Sequence, residues 1–303
     1  MIIKNKKYKN FTNDDLFVCV LGYEPRSRFL LNKNIDTRNS KNTLVFNLNK
    51  EKIPYGIKEK EIELVNCGYN DTTIIKEQIH NFSQNNLQCN DKTTLNIDYS
   101  SMPRSWYCAL PIFISKTIDD NNELVFWYTA GDYPSSYIHY PSAGIDSISV
   151  FSGLSLPASD IMRCHILGLG YDSIRTETVK SIVEPDMLIS CYAYNPADIK
   201  TKENVCKANK GLIESSRLTV ALPIDNFSGM VDKLCGLVYD QIQSGQIIII
   251  PDGPKPLIMA MSLIPDLVKK DGVTCLHISR NTHHHSEIPV EPRGNEIFGF
   301  QVL

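Results

Sequence analysis

The sequence predicts an α/β protein made of two similar halves, each a mainly parallel sheet covered by helices. Three observations predict it: a short isoleucine strand followed by a turn and a helix, the same alternation along the whole chain, and an internal echo. Residues 247–250 are four consecutive isoleucines bounded by Gln246 and Pro251, the pattern of a strand buried on both faces of a parallel sheet. Pro251 to Pro256 cannot continue that strand. The apolar run from Leu257 to Ile264 has helical composition and stops near Asp271 and Gly272. A loop between such a strand and helix lies where free backbone N–H groups and the helix dipole favour an anion, and Lys255 adds a positive charge there.

Taken in order, the chain opens with a charged, poorly patterned arm to Asp15. Strands follow at 16–21, 43–48, 62–66, 93–98 and 124–129, with helices expected after Arg28, over 71–82 and over 106–114. Asp71 or Thr72 is the expected N-cap of the second of these. Residues 130–160 carry turn chemistry and aromatics, with one strand expected at 147–151, and the domain boundary is placed here, giving halves of 1–150 and 151–303. The second half repeats the plan, with strands at 164–169, 187–192, 218–222, 246–250 and 275–278 and a helix over 229–242. Its tail is expected to end in a strand at 297–303. Gly22-Tyr23-Glu24 followed by Arg26 matches Gly170-Tyr171-Asp172 followed by Arg175, and Asp98 matches Asp252 at similar spacing, 76 positions after Gly22 and 82 after Gly170. The halves are therefore read as two Rossmann-like units, pseudo-duplicated.

Composition narrows the function. A 303-residue chain with 42% hydrophobic residues can bury a substantial core, and a formal charge of −3 does not suit a nucleic-acid-coating surface, so direct nucleic-acid binding is not expected. No apolar run approaches the roughly 20 residues that span a bilayer, and the first residues lack a signal peptide's apolar core; a cytoplasmic protein without membrane contact is expected. The nine cysteines are scattered without Cys-x-x-Cys spacing, which reads as reduced core thiols.

In an open parallel sheet ligands bind beyond the carboxyl ends of the strands, so the loops after the first and fourth strands of each half are the candidate sites. They hold Tyr23, Glu24, Arg26, Ser27 and Arg28; Asp98, Ser100, Ser101 and Arg104; Tyr171, Asp172 and Arg175; and Asp252, Gly253 and Lys255. Cations at helix starts oppose the dipole and become favourable when an anion is bound. The alternative is internal pairing, Glu24 with Arg28 and Asp98 with Arg104.

The segment Ile249-Ile250-Pro251-Asp252-Gly253-Pro254-Lys255-Pro256 resembles the strand–loop–helix signature of CARF-type ligand sensors, and the duplicated layout resembles the double arrangement of SAVED-type cyclic-oligonucleotide sensors. The usual Thr-Gly-Gly-Thr is replaced here by Pro251-Asp252-Gly253-Pro254. The resemblance implies a nucleotide sensor in a prokaryotic defence system, its ligand held between the halves. It implies phosphate contacts from Lys255 and Gly253, phosphate or ribose contacts from Arg26 and Ser27, and a pseudo-symmetric counterpart at Asp98 or Ser100.

Other constellations are weaker. His283-His284-His285 alternate sides in an extended segment and read as a solvated loop, so no metal site is expected. Tyr133, Tyr137 and Tyr140 are candidates to stack on a base or seal a partner surface. No nucleophile elbow, Walker loop or complete dinucleotide fingerprint is present; no cofactor is expected, and no catalytic residue is assigned. Three functions stay open: a sensor of a nucleotide or other small phosphorylated ligand, a ring-nuclease-like enzyme in which Ser27 or Ser100 acts beside Lys255 or Arg104, and a structural subunit with protein partners in a larger assembly.

Overall fold

A computed structural model describes residues 1–34, 42–48, 62–86, 93–118, 121–133, 142, 144–153, 161–279 and 290–303. The protein is α/β, with two mainly parallel sheets of seven and six strands. The chain divides into two compact units, the first comprising Met1–Tyr133 with Glu287–Leu303 and the second Pro134–Ser286.

The first unit contains β1 (Ile3–Lys6), β2 (Leu16–Leu21), β3 (Thr43–Leu48), β4 (Glu63–Cys67), β5 (Thr94–Asp98), β6 (Glu123–Asp132) and, from the C-terminus, β13 (Glu291–Val302). Every residue of β2 and β3 is buried, as expected of strands covered on both faces. The sheet order is β1-β13-β6-β5-β2-β3-β4, and β6 through β4 are parallel. Numbered among themselves, the five parallel strands run 3-2-1-4-5, the Rossmann order, with the switch point between β2 and β5. Helices α1 (Phe29–Asn34), α2 (Thr72–Asn86) and α3 (Arg104–Ser115) cover the sheet. α2 buries Ile75, Ile79 and Phe82, the i, i+4, i+7 stripe of an amphipathic helix. One core cluster gathers Phe17, Cys19 and Leu21 of β2 with Leu30, Leu31, Val45 and Trp127.

The second unit repeats this plan. Its strands are β7 (Ser147–Gly153), β8 (Arg163–Leu169), β9 (Met187–Tyr194), β10 (Leu218–Pro223), β11 (Gln246–Ile250) and β12 (Val273–Ser279), in the order β10-β9-β8-β11-β12-β7. Omitting antiparallel β7, the parallel strands again run 3-2-1-4-5, with the switch point between β8 and β11. Its helices are α4 (Ser173–Val183), α5 (Ile199–Ala208), α6 (Lys210–Ser215), α7 (Phe227–Gln241) and α8 (Lys255–Val268). α7 buries Met230, Leu234 and Val238 on one stripe.

The structure departs from the sequence reading at the edges. The arm expected to be unpatterned contains β1, which pairs antiparallel with β13 from Ile3↔Val302 to Lys6↔Gly299. The tail expected in the second half joins the first unit, where β13 pairs with β6, and the strand at 147–153 belongs to the second. Strand β6 explains the tail: buried from Leu124 to Ala130, it needs backbone partners on both sides, and β5 supplies only one. Helices α5 and α6 were not anticipated. His283 to His285, Tyr137 and Tyr140 lie outside the described residues. Among the described residues no helix is long and apolar enough to cross a membrane.

Candidate functional site

At the first unit's switch point, β2 ends at Leu21 and the chain enters a 3-10 turn over Pro25–Arg28. Tyr23 is exposed, whereas Arg26 and Ser27 are buried. Arg26 does not await an external anion. Its Nε donates to Glu24 Oε2 at 2.6 Å and its Nη1 to the Tyr128 hydroxyl at 3.1 Å, and the guanidinium lies 5.6 Å from the Tyr128 ring centre and 5.7 Å from that of Tyr133. Burial by itself disfavours the Arg26 charge, but Tyr133, Tyr128 and Glu24 outweigh it and hold the pKa well above the ordinary value. Glu24 thus pairs with Arg26, not with Arg28 as the internal-pairing alternative had it. Ser27 Oγ donates to the Gly22 carbonyl at 3.2 Å, closing the turn on itself.

The facing loop leaves β5 at Asp98. Asp98 Oδ1 accepts from the Ser100 backbone N–H at 2.9 Å and from Ser100 Oγ at 2.5 Å, and Ser100 Oγ accepts in turn from the Thr129 N–H at 2.8 Å. Ser100 is fully buried, so its hydroxyl acts as a brace between β5 and β6. Burial, followed by Tyr128, Tyr107 and Asp98, pushes the neighbouring Tyr99 phenol well above its usual pKa and keeps it neutral. Ser101 follows, and Arg104 is the first residue of α3, which has no side-chain cap and no acidic residue in its first turn.

In the second unit, Tyr171 follows β8, and Asp172 caps α4 by accepting the Arg175 N–H at 3.1 Å. Arg175 crosses the switch point. Its Nη2 donates to both Asp252 oxygens at 2.5 Å, and its Nη1 lies 3.4 Å from Asp172 Oδ2. Arg175 and Asp252 side chains are only 2% and 4% exposed, so this is a buried ion pair tying the loops after the first and fourth strands together. Gly168, Gly170 and Gly253 make the approach possible. A Cβ on Gly168 would stand 2.4 Å from the Asp252 carbonyl oxygen, and one on Gly170 2.9 Å from Gly253 Cα. Lys255 opens α8, again without a side-chain cap or an acid in the first turn.

Gly253 has φ +99, and a Cβ there would meet the Leu169 carbonyl oxygen at 2.6 Å. Gly253→Ala is therefore expected to destabilise the protein by about 1–3 kcal/mol through backbone strain alone, read as a lower urea midpoint; an unchanged midpoint would contradict this geometry.

The loops thus bring the candidate residues to the C-terminal edges of their own sheets, as expected, but two of the arginines there serve their own units. Sequence reading missed the partners. They are Tyr128, which accepts from Arg26, Thr176, whose Oγ1 lies 3.4 Å from Asp252 Oδ2, and buried Asn209, which donates to the Gly170 carbonyl at 2.7 Å from a segment the sequence left unassigned. The spacing of Arg175 from Asp252 along the chain carries no local signal. Among the described residues no cluster of His, Cys, Asp and Glu has the geometry to hold a metal. No family model matches the sequence, and no curated protein does either.

Proposed function

We propose that this protein is a ligand-sensing module that binds a nucleotide or another phosphate-bearing small molecule at the switch point of a parallel sheet, a reading in line with the short resemblance of residues 249–256 to CARF-type sensors. One observation carries the reading. In each unit the helix after the fourth parallel strand begins with a cation, Arg104 or Lys255, and has neither a capping side chain nor an acidic residue in its first turn. A helix start of this kind, placed at a switch point, is a seat for an oxyanion. Cleavage gains no comparable support: the Ser27 and Ser100 hydroxyls are both engaged in loop-bracing bonds.

The test is incubation with a panel of mono-, di- and cyclic nucleotides. A rise in melting temperature without product is expected, whereas product formation would favour the ring-nuclease-like function. Arg104→Ala or Lys255→Ala, according to which helix start holds the phosphate, should weaken binding by about 1.5–3 kcal/mol, the scale of a charge-assisted hydrogen bond. Parent-like affinity in both variants would overturn the reading.

A further inference from the structure

Strand β13 closes a unit whose other strands all precede the second unit in the chain. It lies between β1 and β6 and pairs antiparallel with both. Among the described strands β1 reaches the sheet through β13 alone, and backbone bonds between Ile2 and Leu303, at 2.7 and 2.9 Å, tie the ends of the two strands. The body of β13 is closely packed. Buried Phe300 stacks on Phe126 with ring centres 5.2 Å apart, and a Cβ on Gly299 would collide with the Trp127 ring.

The approach to β13 lies on the first unit's switch loop. Buried Val290 accepts the Arg26 N–H on its carbonyl at 3.3 Å, and its side chain fills the space beside Gly131, where an added Cβ would collide with Val290 Cγ1. Lys33 of α1 reaches Asn295 Oδ1 at 3.1 Å. These contacts are set apart from the body of the strand: the ladder with β6 holds from Ile297↔Thr129 to Val302↔Leu124 and again at Pro292↔Gly131 and Glu291↔Asp132, and residues 293–296 leave it in between. The core cluster around Phe17, Leu30 and Trp127 takes Ile297 of β13 against it, whereas the second unit's cluster around Leu167, Leu188 and Ile250 is built without β13.

We infer that β13 is a clasp. Its docking completes the first unit's sheet and fixes the switch loop through Val290 and Arg26, and its release opens the first unit while the second keeps its fold. Proteins open in contiguous cooperative pieces of this kind, each bounded by the contacts it shares with the rest. Because the closing strand follows residues 134–286 in the chain, the first sheet cannot be complete until the second unit has been synthesised. Whatever draws β13 away acts on the Arg26 loop without touching that loop. The inference does not depend on what the switch points bind.

Hydrogen exchange of the full chain, followed by mass spectrometry, tests it. Phe300→Asp places a charge against Phe126; peptides from β1, β6 and residues 22–28 should then exchange about tenfold faster than in the parent or more, and those from β8 and β11 at the parental rate. Both tryptophans, Trp106 and Trp127, belong to the first unit, so intrinsic fluorescence should report the same opening. Val290→Ala leaves the body of the strand in place and should quicken residues 22–28 by about tenfold, with β1 and residues 297–302 unchanged. Equal loss of protection in β8 and β11 of Phe300→Asp, or parental exchange of residues 22–28 in either variant, overturns the clasp.

Discussion

Asp252→Ala is expected to destabilise the protein by about 3–5 kcal/mol, the scale of removing one partner from a buried ion pair. The cost arises less from the lost attraction than from what remains. Arg175 would keep its charge in a site 2% exposed, with Asp172 at 3.4 Å as its remaining carboxylate contact in the loop. Thr176 Oγ1 would lose its contact with Asp252 as well. Urea unfolding followed by circular dichroism should show the lower midpoint. The double variant Arg175→Met with Asp252→Leu should recover much of the loss, because apolar side chains of similar volume need no counter-charge. If Asp252→Ala unfolds at the parent's urea concentration, the pair does not hold these loops.

Stability should also fall on acidification by about 2–3 kcal/mol between pH 6.5 and 4 because of His165, whose pKa is lowered to about 4. Burial in the central strand β8 is the main cause; Arg163 lowers the value further and Asp186 opposes it. The imidazole has no exposed surface, and neither ring nitrogen has a hydrogen-bond partner among the described residues. The sign follows from proton counting. Above pH 6.5 the ring is neutral whether the chain is folded or not, and it contributes no slope. Between 6.5 and 4 the unfolded chain takes up a proton that the folded one refuses, so stability declines as pH falls. His165→Leu should remove this component, read as the difference between parent and variant unfolding free energies at pH 7 and pH 4. Identical pH profiles would mean that His165 does not titrate as its burial requires.

The alternation of strands and helices was legible because burial on both faces leaves uninterrupted apolar runs, as at 16–21 and 247–250, and because Gly and Pro punctuate the turns. The echo between Gly22-Tyr23 and Gly170-Tyr171 was legible too, and the two sheets share one strand order. The edges were not. β1 carries Lys4 and Lys6 and joins the sheet through backbone hydrogen bonds, which impose no side-chain pattern. The site was half legible: loop positions follow from topology, but the partners inside the loops do not. A cation beside a helix start reads alike in sequence whether its anion is a ligand or a carboxylate 77 residues away, as for Arg175 and Asp252.

By itself the sequence determined that the chain is α/β, that its plan is duplicated, and which four loops lie at the carboxyl ends of the first and fourth strands. Those are properties of local periodicity and strand order, and each is written in contiguous residues. Only the tertiary structure decided that Arg26 and Arg175 are neutralised from within, that β13 completes the first sheet, and that the facing loops meet at backbone distance at Gly168 and Gly170 while Gly22 leaves ordinary spacing. Such outcomes depend on distances between segments remote in the chain, set by packing at near-crystalline density, where a single Cβ decides whether two backbones can meet.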